Sequence, residues 1–74
     1  MELEQQPKPW ERRLEAAVQV HELVVAGDRM LGRVSPRSED TRQSVVFAID
    51  AALASGVPEA TLGAWLTARA RAAA

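Results

Sequence analysis

The chain has no cysteine, so neither a disulfide nor a thiolate metal site braces it. It has no tyrosine and only three aromatic residues, Trp10, Phe47 and Trp65, which limits the bulk available to fill a core. Neither sign of charge prevails: nine Lys+Arg stand against ten Asp+Glu, for a net charge of −1. That balance excludes the strongly basic composition of a protein held on nucleic acid by charge alone. No apolar run approaches the ~20 residues of a membrane-spanning helix. The start, MELEQQPKPW, is acidic and polar and has no signal-peptide character, so a cytoplasmic location and no membrane partner are expected. β-Branched residues never alternate with polar ones over a strand length, so no sheet is expected.

The chemistry of catalysis is thin as well. His21 is the sole histidine. It opens the run HELVV, whose first two residues match a zinc-protease motif, but Val25 stands where the second histidine must be. His21 therefore reads as a packing residue. There is no glycine-rich phosphate loop, and Asp50 and Glu59 fit solvent-facing or capping roles. No catalytic residue, metal ligand, cofactor or small-molecule substrate is expected, and the chain does not read as an enzyme.

What remains is a helical sequence. The hydrophobic fraction is 47%, much of it alanine, the strongest helix former and a poor core filler. A length of 74 residues allows one small domain with a marginal core of its own, supported by good helix packing or by self-association. The expected fold class is all-α, a small three- to four-helix bundle. Residues 1–8 read as a disordered tail and residues 9–74 as a single helical domain.

Pro9 fits the first turn of a helix. Trp10, Leu14, Ala17, Val18, His21, Val24 and Val25 recur at helical spacing on one face. This first helix is expected over 9–26, with Gly27 as a left-handed cap. A short turn over 28–33 follows, because a continuous helix would set Asp28 on the apolar face, which is costly unless Asp28 is paired. The alternative is one long helix to about Arg33. Gly32 to Arg37 reads as a loop. Ser38 or Asp40 then caps a second helix over 39–55. Val45, Val46, Ala48, Ile49, Ala52 and Leu53 make one broad face of it, with Phe47, Ala51 and Ala54 outside. A helix apolar on nearly all sides is a central helix or a subunit interface. The last helix is expected over 58–71.

The stretch Ala48–Thr67, AIDAALASGVPEATLGAWLT, carries the most specific pattern. Ala52 is small where two helices would cross. Gly56 permits a left-handed end to the first of them. Val57 plugs the corner, and Leu62, Trp65 and Leu66 pack the second helix onto the first. With Thr61, this pattern resembles the helix-turn-helix of DNA-binding bacterial and phage repressors. The resemblance implies a helix-turn-helix unit within the bundle, and a small transcriptional regulator that binds DNA as a homodimer. It implies that the second helix reads bases through Glu59, Ala60, Gly63, Ala64 and Thr67, and that Arg69, Arg71, Arg37 and Arg42 hold phosphates.

The implied reading face lacks Arg, Lys, Asn and Gln, the side chains that make bidentate contacts to guanine or adenine. Its small residues, three or four apart, also suit the close approach of another helix. A second expectation therefore stands beside DNA binding. It is a helical protein-interaction module without DNA affinity, such as an adaptor, an antitoxin-like partner or a phage inhibitor protein, working with a helical partner or a second copy.

Overall fold

The computed structural model describes residues 7–73, and side-chain burial up to residue 72. Most of the expected N-terminal tail lies outside the described residues. Among those described, there are three helices and no strand: α1 Pro9–Leu31, α2 Pro36–Ala54 and α3 Glu59–Ala73. The all-α expectation holds in this coarse form. Helices α1 and α2 form the close antiparallel pair. Helix α3 joins them through side chains, and the molecule measures 45 × 25 × 19 Å.

Pro9 opens α1, and the Glu11 carboxylate accepts the Lys8 N–H at 2.7 Å. The expected break at Gly27 is absent. Helix α1 continues to Leu31, and the left-handed cap is Gly32, with φ 67°. The Gly32 N–H donates to the Arg29 carbonyl at 3.2 Å and the Arg33 N–H to the Asp28 carbonyl at 2.9 Å. These two reversed bonds satisfy carbonyls that a helix end otherwise leaves open. The short turn expected at 28–33 is thus the last turn of α1 and its cap.

The physical reason is Asp28. Its carboxylate is buried but not orphaned. One oxygen, Oδ2, accepts both the backbone N–H and the hydroxyl of Ser35, each at 2.9 Å, and the Arg33 guanidinium lies 3.7 Å from Oδ1. The Ser35 N–H, the Ser35 hydroxyl and the Arg33 charge together hold the Asp28 pKa below its ordinary value, against the opposing effect of burial. A buried carboxylate with these partners carries no penalty that would force the helix to end early.

Helix α2 also starts earlier than expected. Pro36 occupies its first position and Ser35 is the N-cap, in place of Ser38 or Asp40. The pre-set φ of proline suits that position. The loop between α1 and α2 shortens accordingly to residues 32–35. Its hydroxyl being given to Asp28, Ser35 makes no side-chain cap bond. Further along, the Thr41 side chain reaches the Arg37 carbonyl at 2.9 Å and lies 2.8 Å from Nδ1 of half-buried His21, tying α2 to α1.

The second corner repeats the first. Gly56 has φ 103°; its N–H donates to the Leu53 carbonyl at 3.0 Å, and the Val57 N–H donates to the Ala52 carbonyl at 3.1 Å. Val57 and Ala52 then meet in the core. Helix α3 begins at Glu59, with the Pro58 carbonyl accepting the Leu62 N–H at 3.1 Å.

The core is small. Among the described residues Leu14, Ala48, Ala52 and Leu62 form the buried apolar centre, and of these Leu14 is the one large side chain that is fully enclosed. Ala48 and Ala52 bring the α1 and α2 backbones together. Trp10, Val18, Val45, Ile49, Val57, Trp65 and Leu66 close over this centre, half-buried. Trp10 and Trp65 meet edge to face, with centroids 6.3 Å apart. Among the described residues, no helix is long and apolar enough to cross a membrane.

Candidate interaction surfaces

Two surfaces have the chemistry of recognition. The first is the α2–turn–α3 unit. Ala52 and Leu62 are buried, Val57, Trp65 and Leu66 are half-buried, and Gly56 forms the corner. Glu59, Ala60, Thr61, Gly63, Ala64 and Thr67 are all exposed on α3. That face is open, but it is made of alanine, glycine and threonine around one glutamate.

The arginines expected on phosphates divide into two groups. Arg69 faces inward to α1. Its Nη2 donates to Glu22 at 3.0 Å, and its Nε lies 2.9 Å from Glu15 Oε1, off the hydrogen-bonding direction. The Arg69 side chain retains only 20% of its exposure. Glu15 and Glu22 sit two turns apart on α1, so one guanidinium staples α3 to it. Arg42 forks onto Glu39 within α2, through Nε at 3.1 Å and Nη2 at 2.6 Å. That fork lowers the Glu39 pKa, with Gln43 adding a further hydrogen bond, and raises that of Arg42. Arg37 and Arg71 are exposed and have no ion-pair partner among the described residues. Two of the four arginines are therefore already matched by carboxylates of the chain itself.

The second surface escapes a sequence reading centred on the packed face. Val20, Leu23, Met30 and Leu31 point outward from α1, with Leu23 at 70% and Met30 at 87% exposure. With Ala16 and Gly27 they recur at spacings of three or four, so they share one helical face, turned away from Leu14. Val34 in the loop is also exposed, but it borders Val25 and Arg29 instead of this line. The available signal was the spacing of Val20, Leu23, Gly27 and Leu31, which is as helical as that of the buried set. Helix α2 adds Phe47, at 62% exposure; Val46 and Leu53 lie at the margin of burial. The broad apolar face expected for α2 is thus split. Val45, Ala48, Ile49 and Ala52 pack inward, and the rest meets solvent.

Shallow grooves flank the loop end of the helix pair. One is lined by Leu23, Val24, Gly27, Leu31, Arg33 and Arg37, the other by Val25, Arg29, Arg33, Val34 and Ser38, each with Asp28 at its floor. Both are open to solvent; the second is mainly apolar, and the first mixes apolar with polar surface from Arg33, Ser35 and Arg37. Among the described residues no group of three His, Cys, Asp or Glu is placed to hold a metal ion.

Comparison with protein families, curated proteins and solved structures finds no match for this chain.

Proposed function

We propose that the chain is a helical protein-interaction module that works through the outer face of α1. The observation that carries this reading is the solvent exposure of Leu23 together with Val20, Met30 and Leu31 on one face of a helix capped at both ends. Large apolar side chains scattered singly on a surface need no explanation, but a contiguous line of them marks an interaction site. The core supports the same reading. Two buried leucines and two buried alanines stabilise a chain this short only modestly, and a partner that buries four more large side chains adds to the folded state by mass action.

The reading is tested by placing a photoreactive residue at position 23 and, separately, at exposed position 61, in the cell that makes the protein. Protein adducts at 23 and not at 61 are expected. Equal labelling at both positions, or none at 23, contradicts the assignment.

DNA binding is the second reading, with α2 and α3 as a helix-turn-helix and α3 approaching the major groove. The Gly56 corner and the exposed Arg37 and Arg71, which have no ion-pair partner among the described residues, favour it, whereas the α3 face of alanine, glycine and threonine offers no bidentate base contact. The internal pairing of Arg69 and Arg42 weighs against it. Binding to random duplex DNA at ~50 mM salt, falling steeply as salt rises, is its signature.

A further inference from the structure

We propose that the outer face of α1 pairs with the same face of a second copy of this chain, the two helices running antiparallel, with Leu23 of each copy seated over Gly27 of the other. This rests on the interaction-module reading and names its partner.

Gly27 is the starting point. It lies inside α1, four residues before the helix ends. Its backbone is not left-handed, unlike that of Gly32 and Gly56. A Cβ built on it would meet nothing within 4 Å. Within one copy, neither conformation nor space therefore asks for glycine, although glycine weakens a helix interior relative to alanine. What glycine offers at this half-buried position, in the groove it shares with Leu23 and Leu31, is a hole that admits a neighbour closely. One turn earlier on the same face, Leu23 is the matching projection, exposed at 70%.

A two-fold axis level with residue 25 exchanges these two features, so the surface is complementary to itself. The same operation sets Val20 opposite Met30, pairing a short side chain with a long one. A parallel arrangement would stack Leu23 on Leu23 and leave Gly27 facing Gly27 across a gap. Antiparallel helices also oppose their dipoles. A net charge of −1 presents little general repulsion to self-association.

The size of the surface sets the strength. From residue 16 to residue 31 the face is about 24 Å long. Two such faces bury on the order of 1,000 Å² in total, the lower end for specific interfaces. The dimer is accordingly a weak, transient one.

The chain's lack of cysteine makes a disulfide test free of background. The variants Val20→Cys and Met30→Cys are made in the full chain, both at exposed positions. In the antiparallel register each cysteine faces the other variant, whereas two copies of the same variant hold theirs about 15 Å apart, beyond the ~7 Å Cα reach of a disulfide. A mixture is expected to cross-link under mild oxidation, and neither variant alone. Self-cross-linking of Val20→Cys as fast as the mixture overturns the antiparallel register. A sedimentation mass that stays at 8.0 kDa up to ~1 mM, the weak end of specific affinities, overturns self-pairing altogether. Gly27→Leu fills the hole and is expected to raise the dissociation constant at least tenfold with unchanged helical content; an unchanged constant contradicts the proposal. If the chain stays monomeric while a photoreactive residue at position 23 captures a different protein, the self-pairing fails and the interaction-module reading stands.

Discussion

The Asp28 carboxylate and Ser35 are joined by two hydrogen bonds of 2.9 Å, one from the serine N–H and one from its hydroxyl. This pair closes the α1–α2 loop from inside. The Ser35 N–H is the largest influence lowering the Asp28 pKa. A carboxylate whose folded pKa is depressed contributes stability that is fully present above its unfolded value, about 3.9, and is lost as pH falls through the folded value. Thermal melts of the wild type and Asp28→Ala should therefore differ most at neutral pH and converge below about pH 4. A gap that stays constant to pH 2 would show that the bonded carboxylate is not its cause.

Glycine substitutions separate the two kinds of glycine in α1. Gly32→Ala places a side chain at φ 67° and should cost about 1–2 kcal/mol. Gly27→Ala should stabilise the monomer by about 1 kcal/mol, because the position is helical and open. Urea unfolding at low protein concentration measures both. Reversed signs would restore a helix end at Gly27.

The core has one large side chain that is wholly enclosed, so Leu14→Ala should cost about 2–5 kcal/mol. A domain of this size has roughly 3–10 kcal/mol to lose, so a sizeable unfolded population is expected at 37 °C, visible by circular dichroism. Val20→Ala, on the outer face, should leave the monomer within about 0.5 kcal/mol of wild type.

Arg69 and Arg71 should behave differently. Arg69→Ala removes the staple to Glu15 and Glu22 and should lower stability by about 1 kcal/mol, whereas Arg71→Ala should not. Should the chain bind DNA in low salt, Arg71→Ala and Arg37→Ala should each weaken it by flattening the salt dependence, by about one unit of slope.

Much of the fold is legible in the sequence. Pro9 and Pro58 mark the helix starts, and the spacing of Trp10, Leu14 and Val18 gives the packed face of α1. The end of α1 is not legible, because Gly27 and Gly32 are equal as residues. Only the pairing of Asp28 with Ser35, seven positions away, decides between them. The start of α2 is hidden too, since Ser38 and not Glu or Gln stands three residues after Ser35, so the sequence carries no capping-box signature there. At the surfaces, sequence patterns identify Arg69 and Arg42 as cations but not the carboxylates that occupy them. The apolar line of Val20, Leu23 and Leu31 has a helical period, yet which of two apolar faces of α1 packs inward depends on where α2 and α3 lie.

The proposed pairing of the outer face of α1 with a second copy of the chain has a direct readout in mass. Sedimentation equilibrium of the full chain between about 1 and 500 μM, beside Leu23→Asp and the control Thr61→Asp, tests it most directly. The average mass of wild type and Thr61→Asp should rise from 8.0 kDa toward twice that value, while Leu23→Asp remains monomeric and helical. A wild type that stays at 8.0 kDa throughout, or a Leu23→Asp variant that associates as wild type does, would contradict it.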